Sequence, residues 1–296
     1  MRVFVTGASG FIGSAIVQEL LGAGHEVLGL ARSEASAQAL VASGAEVHRG
    51  SLDDLDSLRR GAAASDGVIH TAFIHDFAQY EAAGQTDRYA IEALGGALAG
   101  SDRPLLVTAG LAGFAAGRCA TENDVPAKGP RMSESAALEL VAQGIRASVI
   151  RLAPSVHDRD DHGFVPTLIS TAREKGVAAY VGEGLNRWPA VHRLDAAHLF
   201  RLALEQGTAG ACYHGAADEG IPMRDIAAVI GRHLNLPVVS KSPEEAADHF
   251  GWMARFVAMD IPASSALTQQ RLGWHPTQPS LLADLELGHY FQSAPQ

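Results

Sequence analysis

Residues Val3 to Gly13, VFVTGASGFIG, decide the fold. The apolar run Arg2–Thr6 reads as a buried strand, and Gly7, Gly10 and Gly13 follow at GxxGxxG spacing. The next stretch, Ile12 to Ala23, is amphipathic and helical, with Gly24 as its stop. Each glycine has a separate task. Gly7 permits a tight turn, Gly10 lets backbone approach a pyrophosphate, and Gly13 lets the helix lie close on the strand. The unpaired N–H groups at the helix start, with its dipole, then face phosphate oxygens. A glycine triplet alone says little. This one follows a strand, opens a helix and heads a βαβ unit, which is the context a dinucleotide site needs. Ser9, Phe11 and Ile12 share the turn and are assigned to the cofactor with the three glycines.

Outward from this turn, strands and helices alternate. Strands are predicted at Glu26–Ala31, Glu46–Arg49, Gly67–Thr71, Pro104–Thr108 and Arg146–Leu152. Helices are predicted at Glu34–Ser43, Leu55–Ala63, Arg88–Ala99 and Ser133–Gln143. That alternation predicts an α/β fold, a Rossmann-type doubly wound parallel sheet over residues 1–154. After Pro154 loops lengthen, and residues 155–296 read as a smaller substrate-binding segment. Helices at Phe164–Lys175, Ala196–Glu205, Met223–His233 and Pro243–His249 follow without regular strands between them. Ala211–His214, ACYH, is a single strand able to rejoin the sheet.

Composition bounds the function. The chain has 296 residues, 47% hydrophobic and 19% charged, as a folded globular protein has. Its net charge of −10 argues against nucleic acid or an anionic membrane as partner, since both call for a basic face. No apolar run is long enough to span a membrane, and no secretory signal precedes the first strand. Cys119 and Cys212 stand alone, which suits a reducing cytoplasm. The expected partner is a small-molecule substrate, and a homodimer is compatible with all of this.

The end of the second strand bears on NAD against NADP. Arg32 follows Ala31, and a guanidinium there suits a 2′-phosphate. Glu34 is the nearby acid that would reach a ribose instead. The arginine favours NADP(H).

With these residues in view, the sequence resembles the short-chain dehydrogenase/reductase superfamily, closest to extended and atypical members related to the NAD-dependent epimerase/dehydratases. TGASGFIG at Thr6–Gly13 matches that family's TGxxGxxG loop. RGSLDD at Arg49–Asp54 is similar to its GDLxD segment, with Ser51 where Asp is usual, and implies that Ser51 and Leu52 lie against the adenine. HTAF at His70–Phe73 implies that Thr71, Ala72 and Phe73 line the cofactor. RLAPSVHD at Arg151–Asp158 resembles the RP-x-x-V-Y-G segment and implies Pro154 beside the nicotinamide. WPAVHRLDAAHLFRLALE at Trp188–Glu205 and LGWHPTQPSLLADL at Leu272–Leu285 extend the resemblance toward the C-terminus.

The family's Tyr-x3-Lys pair is missing. No tyrosine lies between Tyr89 and Tyr180, and none has lysine four positions on. At the fifth strand's end, VTAGLAG, Thr108 is the sole hydroxyl. Hydride transfer needs positioning more than acid–base help, but a carbonyl still wants a proton donor or polariser. Ser133 and Glu134, at the start of the helix that would carry the pair, are catalytic candidates, with helix capping as their plainer role. Arg131 would polarise an oxygen or hold a cofactor phosphate. His157, after the sixth strand, can donate or accept a proton near neutrality, or serve structurally. VHDRDDH at Val156–His162 is not read as a metal site, because consecutive loop acids mostly solvate. Phe164, Tyr180, Trp188 and His192 are expected to line a pocket for an apolar or aromatic substrate. Arg187 and Arg193 leave an anionic substrate open. His70 and His75 read as structural.

These features imply an NADP(H)-dependent oxidoreductase acting on a small organic carbonyl or activated alkene. The alternatives are an epimerase, dehydratase or isomerase that retains its cofactor, and a non-catalytic dinucleotide sensor.

Overall fold

The computed structural model describes residues 1–76, 79–114, 117–127 and 129–292. Its first half runs β1 (Arg2–Thr6), α1 (Phe11–Gly22), β2 (Glu26–Ala31), α2 (Glu34–Ser43), β3 (Glu46–Arg49) and α3 (Leu55–Ala63). Then come β4 (Gly67–His70), α4 (Tyr80–Gly96), β5 (Leu105–Gly110), α5 (Ser133–Val141) and β6 (Ala147–Leu152). The second half runs β7 (Ser155–His157), α6 (Phe164–Lys175), β8 (Ala178–Val181), β9 (Arg187–His192), α7 (Arg193–Gln206) and β10 (Cys212–Gly215). It ends with β11 (Asp218–Pro222), α8 (Met223–Leu234), β12 (Val238–Lys241), α9 (Pro243–Phe250), α10 (Ala254–Val257), α11 (Ala266–Leu272) and α12 (Leu281–Glu286).

Seven strands form one sheet in the order β10-β6-β5-β4-β1-β2-β3, and every pair is parallel. The winding reverses between β1 and β4, as the strand–helix alternation predicts. Both faces are covered, so the central strands are apolar until they reach their C-terminal ends: Val3, Phe4 and Val5 are fully buried, as are Val68 and Ile69. Ser33 caps α2 by accepting from the Ser36 amide, and Gly44 ends it in a left-handed conformation.

Beyond Pro154 the structure corrects the expectation of helices with Ala211–His214 as the single strand. Among the described residues five further short strands are present there, in a three-stranded sheet β11-β9-β7 and a two-stranded sheet β12-β8. They are short, and their partners come from far along the chain. β9, RWPAVH, carries Pro189, and β11, DEGIP, is largely polar, so neither shows a strand's alternation. α4 also begins at Tyr80 rather than Arg88. Cys212–Gly215 is the edge strand beside β6.

One core cluster joins both halves of the chain. Val3, Ile16 and Leu20 pack with Phe200, Tyr213 and Trp274, and α1 lies along α7. A second cluster, including Leu168, Trp188, Ile226 and Leu281, makes the centre of a C-terminal lobe. No helix among the described residues is long and apolar enough to cross a membrane.

Candidate functional site

The glycine turn lies at the reversal point of the sheet, where open α/β sheets place ligands. Gly7 has φ +69°, and a Cβ there would lie 2.7 Å from Thr71 Oγ1 and 2.8 Å from the Ala72 nitrogen. A Cβ at Gly13 would lie 2.0 Å from the Gly7 carbonyl oxygen. These two glycines therefore close the turn on itself. Gly10 is different: it is exposed, and it starts α1 without a side-chain cap. With no acidic residue in the first turn, the amides there are left for an anion. Ser9 is exposed beside Gly10, and Ile12 packs on the core beneath. Phe11 is held between two later side chains, the Arg193 guanidinium 4.8 Å over its ring and the His162 ring edge-on at 5.8 Å.

The ends of β1, β4 and β5 are tied together by hydroxyls. Thr71 Oγ1 donates to the Thr6 carbonyl at 2.7 Å, and Thr108 Oγ1 donates to the His70 carbonyl at 2.9 Å. Below them runs a buried chain of side chains. Thr6 Oγ1 and His70 Nδ1 are 2.8 Å apart, His70 Nε2 and Asp87 Oδ1 are 2.9 Å apart, and Ser133 Oγ donates to Asp87 Oδ2 at 2.6 Å. Arg131 Nε donates to Ser133 Oγ at 3.2 Å, and Arg131 Nη2 donates to the Thr108 carbonyl at 3.1 Å. The Arg131 guanidinium lies 4.6 Å over the half-buried Phe73 ring. Sequence reasoning missed Asp87, which sits within a helix and carries no motif.

At the far side of the turn, Arg32 is exposed and has no hydrogen bond or ion pair among the described residues. Glu34 is occupied: Arg49 donates to its carboxylate and to the Ser33 carbonyl. Ser51 and Leu52 are half-buried just before α3.

Three catalytic candidates are corrected by their surroundings. Ser133 is fully buried and is spent on Asp87 and Arg131. Glu134 makes a two-pronged buried pair with Arg151, at 2.6 and 2.9 Å, so it cannot stand in for the missing lysine. His157 is fully buried, with Nδ1 2.8 Å from Asp284 Oδ2 and its ring edge-on to His192. His157 Nε2 has no hydrogen-bond partner among the described residues, but it is closed off by burial.

The substrate candidates divide in the same way. Trp188 is a core residue, and His192 is buried as the cap of α7, accepting from the Leu194 amide at 3.2 Å. Both are corrected to structural positions. Phe164 and Tyr180 are half-buried, Phe164 lying edge-on to Trp188 and near Trp252 and Phe256. Arg187 is held by Asp260 and Arg193 by Asp158. Pro154 is half-buried at the end of β6. Among the described residues no group of three or more His, Cys, Asp or Glu side chains gathers as metal ligands do. A surface depression among Asp102, Gly144, Arg146 and Thr208 lies by the start of β6, the end of the sheet opposite the glycine turn.

A parallel doubly wound sheet with a glycine turn at its reversal point defines a Rossmann-type α/β protein. Residues 3–93 match the NAD dependent epimerase/dehydratase family. Over 295 residues the chain is 54% identical to an uncharacterized protein of Schizosaccharomyces pombe, covering 98% of this chain and 100% of that one. It is 45% identical over 295 residues to an uncharacterized protein of Saccharomyces cerevisiae, covering 98% and 99%. The crystal structure of DesIV, a dTDP-glucose 4,6-dehydratase from Streptomyces venezuelae with NAD and TYD bound, superposes with a TM-score of 0.79 at 19% identity, covering 98% and 97%. The whole chain is a homologue of these two uncharacterized proteins, and its residues 3–93 belong to the NAD dependent epimerase/dehydratase family.

Proposed function

We propose that this protein is an NADP(H)-dependent oxidoreductase that reduces a small organic carbonyl or activated alkene. The observation that carries the reading is the turn itself: uncapped amides at the start of α1, with an unpaired arginine at the end of β2. A dinucleotide laid across the reversal point puts its pyrophosphate on those amides and its adenosine half over β2 and β3. Arg32 then meets a 2′-phosphate, while Arg49 keeps Glu34 from acting as the ribose acid. When bound, the cofactor supplies the hydride. The chain's residues orient and bind: Thr71 and Thr108 hold the strand ends in register, and Phe73 and Arg131 wall the nicotinamide half.

Two further observations favour simple reduction. Ser133, Glu134 and His157 are all locked into buried contacts, so a base strong enough for epimerisation or dehydration is not among them. Arg187 and Arg193 are each neutralised by a carboxylate, which disfavours a nucleotide-sugar substrate. A cofactor-retaining epimerase or dehydratase is the second reading, supported by the family and by the structural likeness to a dehydratase.

The test is consumption of NADPH against a panel of aldehydes, ketones and enones. Turnover with at least one of them is expected. Cofactor that copurifies tightly with no net turnover supports the second reading, and binding without any consumption supports a sensor.

A further inference from the structure

We infer that Arg131 holds and polarises the reacting oxygen of the substrate, and that the Thr6–His70–Asp87–Ser133 chain positions it from the cofactor loop. This rests on the reading of the protein as a nicotinamide-dependent reductase.

Four observations carry it. First, the place is right. Arg131 lies over Phe73, which follows β4, and bonds the carbonyl of Thr108 on β5. Those strands belong to the second mononucleotide half of the sheet, the half that takes the nicotinamide. Second, Arg131 is half-buried and has no carboxylate partner among the described residues. A half-buried cation without an anion favours an electron-rich ligand atom beside it. Third, its plane is fixed. Nε and Nη2 are taken by Ser133 and Thr108, and the ring of Phe73 supports one face. Nη1 remains, 3.8 Å from where a Cβ on Gly110 would stand.

Fourth, the support beneath it is complete. With the hydrogen of His70 on Nε2, every contact runs from donor to acceptor. The Ala72 amide donates to Thr6 Oγ1, Thr6 to His70, His70 to Asp87, and Arg131 to Ser133, which donates to Asp87. Backbone packing pins the same segment. Gly84 on α4 meets the Pro130 carbonyl so closely that a Cβ would lie 2.0 Å from its oxygen.

The chemistry follows from the guanidinium. It stays charged throughout, so it stabilises a negative oxygen without giving up its proton. With reduced nicotinamide bound, the substrate carbon would receive its hydride, the C=O π pair would move to oxygen beside Arg131 Nη1, and that oxygen would take a proton from water, leaving hydroxide to the solvent. The products would be the alcohol, the oxidised cofactor and hydroxide. Arg131 is thus the catalytic residue in this scheme, and Ser133, Asp87 and His70 are positioning residues.

The experiment compares wild type with Arg131→Lys, Arg131→Ala and Ser133→Ala. Three quantities are read: NADPH affinity by fluorescence, benzoate affinity by calorimetry on the NADP⁺-loaded protein, and turnover of the panel carbonyls. Benzoate serves as an oxyanion probe. Arg131→Ala is expected to keep NADPH affinity within about threefold, lose roughly ten- to hundred-fold in benzoate affinity, and lose about 10²- to 10³-fold in kcat. Added guanidinium ion should restore part of both losses to Arg131→Ala. Ser133→Ala should fall between, losing kcat more than KM, with a melting temperature a few degrees lower because the buried Asp87 carboxylate loses a donor. Arg131→Lys guards against misfolding, keeping the charge without the fork. Benzoate affinity unchanged in Arg131→Ala, or absent from wild type, overturns the inference while intact NADPH turnover leaves the reductase reading standing. If wild type binds no NADPH, the reductase reading fails and the inference falls with it.

Discussion

At the scale of single residues, the proposed preference for NADP(H) turns on Arg32 and Glu34. The acid that would read a ribose hydroxyl is already engaged by Arg49, and the arginine beside it is unengaged. Replacing Arg32 by alanine should therefore weaken NADPH binding by roughly ten- to hundred-fold and leave NADH nearly untouched, since charge-assisted phosphate contacts carry about that much. Equal losses for both coenzymes, measured by fluorescence titration, contradict the 2′-phosphate role. His214 gives a second prediction at this scale. Burial pushes its pKa from 6.5 down to about 4, with the Arg151 charge acting the same way. Its Nε2 sits 3.1 Å from Arg151 Nη1, a donor, and its Nδ1 lies 2.8 Å from the Ser264 carbonyl. The unfolded chain thus takes up a proton on this histidine before the folded protein does. Stability is expected to fall as pH drops from about 6.5 toward 4, by at most about 3 kcal/mol from this group. Urea unfolding of wild type and His214→Asn at pH 7 and pH 5 reads it: the variant should show the smaller difference. Equal differences in the two proteins remove His214 as the cause.

Legibility divided by distance. Gly7 and Gly13 were legible as turn-closing glycines because their close approaches are local, made by backbone around one turn. Ser133, Glu134 and His157 were not, because their partners Asp87, Arg151 and Asp284 arrive from elsewhere in the chain and leave no spacing to read.

At the scale of elements, close backbone approaches set where things sit. Gly13 lets α1 lie on the turn, and Gly84 lets α4 receive the segment that carries Arg131. Gly13→Ala forces a Cβ against a fixed carbonyl, a clash that typically costs about 1–3 kcal/mol. Thermal melting should report that loss, and dinucleotide affinity should fall with it; an unchanged melt and unchanged affinity contradict the packing role. The parallel strands of the first half were readable from their apolar runs, because a sheet covered on both faces demands them. The strands of the C-terminal lobe were not, since three to six residues with proline, acids and glycine satisfy pairing without a pattern. α4 hid its first two turns behind Gly84, a poor helix former kept by packing.

At the scale of the whole molecule, the nucleotide half and the C-terminal lobe share a core. Phe200, Tyr213 and Trp274 fill space beside Val3 and Ile16, and Trp274 Nε1 donates to the Asp195 carbonyl at 3.0 Å. β10 also covers the β6 edge. A fragment of residues 1–154 loses all of these and exposes an apolar strand edge, so it is expected to aggregate, while the whole chain unfolds in one calorimetric transition. Two resolved transitions, or a soluble folded fragment, contradict a shared core.

The proposed function rests, at this scale, on a nicotinamide dinucleotide lying across the reversal point of the sheet. Titration calorimetry of wild type and Gly10→Val with NADPH and with NADH tests that most directly. The prediction is saturable binding to wild type, tighter for NADPH by about tenfold or more, and lost for both in Gly10→Val because a side chain fills the approach to the α1 amides. No detectable association of either coenzyme with wild type, or equal binding by Gly10→Val, contradicts it.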